Sequence, residues 1–496
     1  MKFLFALLLS FLLQSAQAGI ITIGNSGDFP NLEAAENFIQ AGDTLLLQSQ
    51  IFSDGSQFLE DLNGTEQAPI VIMAENEHEA IFRGGTEAIH LINCSYIEIS
   101  GIIVEQQTGN GINIDDGGDY NTPSKHITIR NCIFRDMASN GNNDLLKMSG
   151  VDSFLIEQCH FLNGGQGGSG IDFVGCHWGT VQDCFFDDPG TSGIQNKGGT
   201  QYIRIQRNTF KNVAQRALNL GGSTGLQFFR PPLPDPIVDA FEAADLEVFT
   251  NIFIGCWAPI AYVGSVRVKV YNNTFYQPEN WVIRILQETT VDGFLPCSDN
   301  EFRNNIVYLP NDLTEVNIGP NTAPETFLFS NNLWYNESST SWSPNLPVTD
   351  VDQIIADPQF DDAMNENFRI PPESPAVGNG ILLDQPDLDF DEESFLQPPS
   401  IGAFEGGEEI TAVSGNFINS EVSIFPNPAA NTITVKGNFH KVNVQILDYL
   451  GRTIREYENV KTNQVIDISF LPKAVYFVRF GMNDTERIVV KKWIKG

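Results

Sequence analysis

The chain has 496 residues, and its 62 acidic and 28 basic side chains give a formal net charge of −34 at pH 7. So acidic a protein would be repelled by phosphate backbones, which excludes nucleic acid as a partner. The seven cysteines show neither CxxC nor Cys/His spacing, so nothing in their arrangement indicates a zinc site.

The first 18 residues have the features of a secretory signal peptide. Lys2 provides the positive start, residues 3–13 the apolar core, and Ala16-Gln17-Ala18 the small-residue cleavage motif. The apolar run is too short to span a bilayer. We therefore expect an exported protein whose first domain begins at residue 19.

The start of that domain shows a short helical pattern followed by a strand. Residues 31–40 are predicted to form an amphipathic helix with Leu32, Ala35 and Phe38 on one side. Residues 41–47 follow as the predicted first strand. The helix would cover the first coil of the repeats that come next.

A block that ends in a large apolar residue recurs through the middle of the chain. The closing residues are Phe134, Phe161, Phe186, Phe210, Phe253, Phe275, Val307 and Trp334, at steps of 27, 25, 24, 43, 22, 32 and 27. Period-2 strand patterns, as in residues 126–130, alternate with Gly, Asn and Asp turns, and no 3.6-residue pattern lies between them. The pattern predicts a solenoid of parallel strands with coils roughly 4.8 Å apart.

Stacked coils would align equivalent residues in columns. The residue two before each closing position forms an interior column of Cys132, Cys159, Cys184, Asn208, Asn251, Asn273, Asn305 and Asn332. Asparagines stacked in this way can hydrogen-bond from coil to coil, which makes their burial possible. The cysteines are predicted to be buried thiols, because in-register parallel strands hold Cβ atoms poorly for a disulfide.

One strand in each coil carries polar residues at its outward positions. With the apolar residues placed inward, the outward row is Asn113, Asp115, Lys147, Asp172, Gln195, Lys197, Asn219, Arg284 and Asn317. We predict that Lys147 and Lys197 share a column two coils apart, roughly 10 Å, with Asp172 between them. Gln195 and Asn219 would contact a ligand on this face. Asp144 and Asp172 are predicted to bind calcium through their carboxylate oxygens.

The two longest insertions leave from the edge of this row, at residues 221–245 and 287–300. Long loops on a rigid solenoid commonly form the wall of a binding site. The predicted wall residues are Phe228, Phe229, Arg230, Glu242, Trp281 and Phe294. The alternative is that the aromatic residues only pack the loops onto the solenoid.

Three sequence regions resemble bacterial β-helix proteins. "GDTLLL" (42–47) and "APIVIMA" (68–74) are similar to their N-terminal region, and "ADPQF", "ESPAVGNG" and "SIGAFEG" (within 356–406) to their closing coil. Together with the repeats, these segments resemble the right-handed parallel β-helix, the pectin-lyase-like fold. The resemblance implies an all-β, right-handed parallel β-helix over residues 19–406.

A second resemblance concerns chemistry. "IQNKGGTQYIRIQRNTF" (194–210) is similar to the lysine-bearing coil of family 6 polysaccharide lyases, which include alginate lyases and chondroitinase B, and "NNDLLKMSG" (142–150) is a second match. The resemblance implies β-elimination on an acidic, uronate-containing polysaccharide, with Lys197, or else Lys147, as the base. Arg216 or Arg284 would supply the family's arginine, because Gly221 and Val174 stand where it would fall. Ser192 and Asn142 stand where the family has acidic calcium ligands.

Two other functions stay open at this point. A hydrolase would need paired carboxylates, for which Asp187-Asp188 and Asp115-Asp116 are the candidates. A glycan-binding surface protein or adhesin would need no catalytic residues, since solenoids also serve as binding surfaces.

The chain ends in a different kind of module after a linker at residues 407–421. "VSIFPNPAANTITV", "AVYFVRF" and "ERIVVKKWIKG", within residues 422–496, predict a small β-sandwich. They closely resemble the type A C-terminal sorting domain of the Bacteroidetes type IX secretion system. The resemblance implies the type IX machinery as a partner and a secreted or cell-surface location. We expect a monomer.

Overall fold

A computed structural model describes residues 18–339, 341–406, 422–425, 429, 431–437, 441–447, 453–472, 475–482 and 488–495. Residues 1–17 of the predicted signal peptide and the predicted linker lie outside the described residues. The chain divides into two compact units, residues 1–408 and 409–496.

The first unit consists of three parallel sheets that run along a solenoid, and we call them sheets A, B and C. In the described residues they have 15, 12 and 10 strands. Sheet A consists of Ile20–Ile23, Thr44–Leu47, Ile70–Ala74, Ser95–Ser100, Ser124–Arg130, Val151–Glu157, His177–Gln182, Thr200–Gln206, Ala243–Ala244, Glu247–Phe249, Ser265–Val266, Lys269–Tyr271, Glu301–Arg303, Leu328–Ser330 and Asp350–Val351. Sheet B consists of Gln50–Phe52, Ala80–Arg83, Ile102–Glu105, Ile133–Arg135, His160–Leu162, Phe185–Asp187, Thr209–Lys211, Ile252–Ile254, Thr274–Tyr276, Ile306–Leu309, Leu333–Asn336 and Ile354–Ile355. Sheet C consists of Gln57–Glu60, Ile89–Ile92, Ile112–Asp115, Leu146–Ser149, Ser169–Val174, Ser192–Lys197, Arg216–Gly221, Ala258–Val263, Ile283–Leu286 and Val316–Ile318.

This architecture confirms the predicted parallel β-helix. Strands pair with their equivalents in the next coil, so the alternation of apolar and polar residues becomes an inside and an outside. Inside, the phenylalanine column stacks ring on ring: the centroids of Phe134 and Phe161 lie 5.0 Å apart, and those of Phe161 and Phe186 lie 4.7 Å apart. All seven cysteines are buried and free, as predicted.

The buried asparagine ladder stands beside these rings. The Oδ1 atom of Asn251 accepts hydrogen bonds from the backbone N–H of Asn208 at 2.9 Å and from its Nδ2 at 3.0 Å. The Nδ2 atom of Asn251 donates to the carbonyl of Ile205 at 2.8 Å and to Oδ1 of Asn273 at 3.0 Å. The same pattern continues to Asn332, whose Nδ2 donates to Asp350. Each amide therefore satisfies backbone groups at a turn that would otherwise be buried without partners.

The N-terminal end differs in detail from the prediction. The helix is shorter, with one α-helical turn at Leu32–Ala35 and a 3-10 turn at Glu36–Phe38. Leu32 and Ala35 are buried, but Phe38 is exposed and contacts the ring of Phe29. The strand Ile20–Ile23 precedes the predicted first strand and pairs with Thr44–Leu47, so the solenoid begins one strand earlier. Among the described residues, no helix has the length and hydropathy needed to cross a membrane.

The segment at residues 356–406 forms no additional closing coil, which corrects the expectation from its resemblance. It contains the 3-10 turn Ala363–Asn365 and returns along the outer face of sheet B. There Phe368, Ala403 and Phe404 bury Ile252 and Ile254. The outward positions of sheet B are apolar in these later coils, so they need this cover.

The second unit is a small antiparallel sandwich. Val422–Phe425, Thr432–Gly437 and Gln464–Asp467 form one sheet, and Thr453–Val460, Val442–Leu447, Val475–Met482 and Ile488–Ile494 form the other. Ile433 and Ile466 of the first sheet share one buried core with Val444 and Val478 of the second. This arrangement is the predicted β-sandwich.

Replacing Asn251 with alanine should destabilise the solenoid. The change leaves two donors of Asn208 and the carbonyl of Ile205 without the bonds that the Asn251 side chain provides. Oδ1 of Asn273 keeps only its bond from the backbone N–H of residue 251. We expect the free energy of unfolding to fall by about 2–4 kcal/mol, measured by urea denaturation. Asn76→Ala is the control, because the side chain of Asn76 is exposed, its hydrogen bond goes to the side chain of Ser49, and its backbone has no positive φ. Equal midpoints for the two variants would contradict a stabilising role for the ladder.

Candidate functional site

The outer face of sheet C carries a continuous row of polar side chains. Strand register aligns a central column of His90, Asn113, Lys147, Asp172, Gln195, Asn219, Ala261, Arg284 and Asn317. These side chains point outward because their neighbours along each strand are the buried aliphatic residues of the core. Eight of the nine are polar, so this face differs from the apolar outer face of the late coils of sheet B.

Lys147 and Lys197 do not share a column, which corrects the prediction. Lys197 lies in the adjacent column with Asp115, Ser149 and Val174. The two lysines nevertheless meet at one carboxylate, because their long stems bridge the columns. The Nζ atom of Lys147 lies 2.5 Å from Oδ2 of Asp172, and Nζ of Lys197 lies 2.9 Å from Oδ1.

Asp144 completes this group, which we call the lysine–aspartate cluster. Its Oδ1 accepts the backbone N–H of Ser169 at 2.8 Å, and its Oδ2 lies 3.7 Å from Nζ of Lys147. Asp144 and Asp172 have no exposed surface, whereas the side chains of Lys147 and Lys197 are 25% and 13% exposed. Only the lysines can therefore reach a ligand.

The charges in the cluster shift one another's pKa values. Burial, together with the charge of Asp172, raises the pKa of Asp144 to about 6. Burial would raise the pKa of Asp172 as well, but Lys147 and Lys197 outweigh that effect and hold it below its usual range. Burial would lower the pKa of Lys147, but Asp172 and Asp144 raise it instead. Lys147 is therefore an ammonium ion at neutral pH.

The predicted calcium site does not fit this geometry. Calcium requires six to eight oxygen ligands, and Asp144 and Asp172 are already neutralised by the two lysine ammonium groups. In the part of the chain that the structure describes, no three His, Cys, Asp or Glu side chains form a group that can hold a metal ion. The positive charges that face these two carboxylates belong to the side chains of Lys147 and Lys197.

Two arginines form a second positive centre on the same face, and we call them the arginine pair. Arg216 donates to Oδ1 of Asn219 and to Oε1 of Glu288, each at 2.9 Å. Burial and the charge of Arg216 lower the pKa of Arg284. The Nε atom of Arg284 is buried without a hydrogen-bond partner among the described residues. Glu288 forms an ion pair with Arg216 alone, so an anion beside Arg284 would relieve the repulsion between the two guanidinium groups.

Polar and aromatic groups connect and border these two centres. Asn219 donates to Oε1 of Gln195 at 3.2 Å, which links the arginine pair to the column of Asp172. The guanidinium of Arg284 lies 4.8 Å from the ring centre of Trp281, and Trp257 packs edge-on against Trp281. Arg216, Arg284, Gln195, Asn219 and Trp281 therefore lie together on this face. Asn219 is 3% exposed, so it links the others and offers little surface to a ligand.

The loop at residues 221–245 holds itself to the solenoid, which corrects part of the predicted wall. Phe229 is 3% exposed and packs against Phe294, so it is no ligand-contacting residue. Glu242 is fully buried and accepts hydrogen bonds from Gly198, Thr224 and Thr289, so it fastens both long loops. Phe228 remains 59% exposed.

Arg230 also anchors the loop. Its Nη2 donates to Oδ1 of the buried Asp116 at 2.6 Å. Its side chain crosses Gly175, where the backbone has a φ of +59° and an added Cβ would lie 2.5 Å from Cβ of Arg230. Only glycine permits this approach. The prediction of a ligand contact at Arg230 is therefore replaced by a structural role.

His90 was missed by the sequence reasoning. Its Nε2 lies 2.7 Å from Oδ2 of Asp115, and its Nδ1 lies 3.0 Å from Oε2 of Glu87. The sequence does contain a pattern that predicts its position. In Ile89-His90-Leu91 a polar residue stands between two apolar ones, as in Ile112-Asn113-Ile114 of the next coil. His90 extends the polar row by one coil.

Two family models match parts of the chain. Residues 423–496 match the secretion system C-terminal sorting domain, and residues 81–231 match the right handed beta helix region. The C-terminal unit is thus a type IX sorting domain, and the protein is secreted or displayed at the cell surface. The second match identifies the solenoid as a right-handed β-helix.

Several solved structures share the β-helix architecture. The crystal structure of pectate lyase Pel9A is 13% identical, covers 79% of this chain and 97% of its own, and gives a TM-score of 0.48. An alginate lyase from Paenibacillus sp. str. FPU-7 is 15% identical over 68% of this chain and 98% of its own, with a TM-score of 0.39. A PL6 family polysaccharide lyase from Pseudopedobacter saltans is 13% identical over 73% and 95%, with a TM-score of 0.40. At this distance the likeness concerns the fold alone. No curated protein matches the chain.

The protonation of His90 should make stability depend on pH. Burial would lower the pKa of His90, but its hydrogen bonds to Asp115 and Glu87 raise it to about 9. Because this pKa is above the ordinary value of about 6.5, the stabilisation is complete below about 6.5, declines as the pH rises, and is lost above about 9. Urea midpoints of the wild type and His90→Gln should therefore differ more at pH 6 than at pH 9.5. A difference that does not change with pH would contradict a protonated His90.

Proposed function

We propose that this protein is a secreted polysaccharide lyase that cleaves a uronate-containing polysaccharide on the outer face of sheet C. The observation that carries the proposal is the arginine pair beside the lysine–aspartate cluster. In a protein with a formal net charge of −34, four cationic side chains lie on one face within six successive coils. Such a face suits a polymer with one carboxylate on each sugar.

The arginine pair supports the binding of the sugar carboxylate. Arg284 has no carboxylate partner within 4 Å among the described residues, and its Nε is unsatisfied. A uronate carboxylate placed here would receive charge-assisted hydrogen bonds from two guanidinium groups. Trp281 and Trp257, half-buried beside Arg284, would pack against the apolar face of the sugar ring.

The reaction would proceed by β-elimination. Neutralising the carboxylate acidifies the C5–H bond of the uronate. Lys197, once its ammonium group has released a proton to solvent, takes the C5 proton as an uncharged amine. The electron pair of that bond forms the C4–C5 double bond, while the C4–O bond breaks and the leaving oxygen receives a proton from water. The products are a new chain end and an unsaturated uronate.

Lys197 suits the role of base better than Lys147. Lys147 contacts two carboxylates, and its pKa is raised, so it keeps its proton. Lys197 contacts Asp172 alone and shares that carboxylate with Lys147. Lys147 would then contribute a fixed positive charge next to the substrate.

Hydrolysis receives less support from the geometry. Asp115 is bound to His90 and Asp116 to Arg230, while Asp187 lies on sheet B. Asp144 and Asp172 have no exposed surface, so neither can act as nucleophile or acid on a sugar. Binding of a glycan without catalysis is the second candidate, and the same assay separates it from elimination.

The full-length protein should produce an ultraviolet-absorbing C4–C5 double bond from alginate, pectate or a glycosaminoglycan. Replacing Lys197 with arginine keeps the positive charge next to Asp172 but removes a group that can accept a proton. We expect turnover to fall by at least about 100-fold, the usual contribution of a general base. The melting temperature should stay close to that of the wild type.

Lys125→Arg is the matched control, because Lys125 is exposed on sheet A. This variant should keep full turnover. New reducing ends without the absorbance would indicate a hydrolase, and binding without either product would indicate a glycan-binding protein. Retained elimination in Lys197→Arg would transfer the base to another residue.

Replacing Arg284 with alanine should weaken substrate binding. The change removes half of the arginine pair, and the loss of a charge-assisted hydrogen bond corresponds to about a 10- to 100-fold rise in KM. Initial rates of elimination over a range of substrate concentrations measure KM and kcat. Arg130→Ala, on sheet A, is the control and should leave KM unchanged. An unchanged KM in Arg284→Ala would place the carboxylate elsewhere.

A further inference from the structure

A column of aromatic side chains stands on the outer face of sheet A. Tyr96, His126, Ser153, Trp178 and Tyr202 occupy equivalent positions in successive coils. The rings of Tyr96 and His126 stack with centroids 4.3 Å apart, and those of Trp178 and Tyr202 stack 5.8 Å apart at 11°. Trp178 is 58% exposed and Tyr202 is 47% exposed, so this part of the column faces solvent.

The backbone makes these rings unexpected. Trp178 and Tyr202 have φ values of +55° and +58°, in the left-handed region that bulky residues seldom occupy. The next coils place Asp245, Arg267 and Asp299 in this column, each also with a positive φ. The rings of Trp178 and Tyr202 therefore stand at strained backbone positions while they remain exposed, and strained positions of this kind often have a function.

A groove of about 640 Å³ begins at these two rings. It lies on a different face from the lysine–aspartate cluster. Beyond the rings it is lined by Arg204, Asp245, Glu247, Arg267, Lys269, Asp299 and Glu301. These side chains provide many hydrogen-bonding groups next to an apolar platform.

The charges in this groove largely cancel. Arg204 and Lys269 both bind Glu247, at 2.7 Å and 3.5 Å. Arg267 binds Asp245 through two hydrogen bonds of 2.8 Å and 2.7 Å. Because the cations already have partners, a polyanion gains little here, in contrast to the unpaired Arg284 on sheet C.

We propose that the groove on sheet A is a second glycan-binding site, which takes a neutral polysaccharide. A neutral sugar has an apolar face for the rings of Trp178 and Tyr202 and hydroxyl groups for the paired charges. The site would hold the protein on a neutral glycan while sheet C faces another polymer. This inference does not depend on the lyase activity, because it involves other residues on another face.

Affinity electrophoresis of the full-length protein in gels with laminarin, xylan or galactomannan tests the proposal. At least one of these neutral glycans should retard the wild type. Trp178→Ala should bind it at least about tenfold more weakly, since an aromatic contact contributes on this scale. Trp178→Phe keeps a ring and should retain most of the binding. Lys197→Arg should be retarded like the wild type.

Three results would overturn the proposal. The first is that none of the three glycans retards the wild type. The second is that Trp178→Ala, with an unchanged melting temperature, is retarded as strongly as the wild type. The third is that only alginate or pectate retards the protein and that Trp178→Ala weakens this retardation. The groove would then be a binding site for acidic polysaccharides. The absorbance assay for elimination is independent of all three results.

Discussion

The register between neighbouring coils is the constraint on which the whole solenoid depends. Parallel pairing fixes which outward residues lie above one another, and a slip by one residue would exchange the inside and outside of a strand. The ladder from Asn208 to Asn332 holds the turns in step, because each amide is bonded both to its own coil and to the next. The stacked phenylalanine rings fill the space beside it. A rigid register lets side chains from distant parts of the sequence form one surface.

Buried carboxylates hold positively charged side chains in place on one face of this acidic chain. Asp172 has no exposed surface, yet it stays ionised because two lysines supply the opposite charge. The lysines are in turn held with their ammonium groups near the surface of sheet C. The aspartates of this cluster thus position cations, and the arginine pair adds charge that is only partly neutralised. A surface of this kind can attract an anionic polymer although the protein as a whole is strongly acidic.

The three faces of the solenoid differ in chemical character because their outward residues differ. Sheet C presents cations and amides, and sheet A presents exposed rings followed by paired charges. The later coils of sheet B present aliphatic and aromatic side chains, and residues 356–406 cover them. Such a division needs no change in the backbone, since each outward position can be chosen independently of the core. The sorting domain is a separate unit with its own core.

The sequence alone determined the repeat, the coil type, the interior columns and the polar row, because each depends on local alternation and on regular spacing. It also named Lys147, Lys197, Asp172, Arg216 and Arg284. The tertiary structure decided how these groups meet. The two lysines lie in adjacent columns, and the pairing shifts between Gln195 and Asn196, which no local pattern reveals. The same holds for Arg230, which binds Asp116 although 114 positions separate them. Long side chains and loops cross between coils, and their partners depend on three-dimensional distance rather than on period.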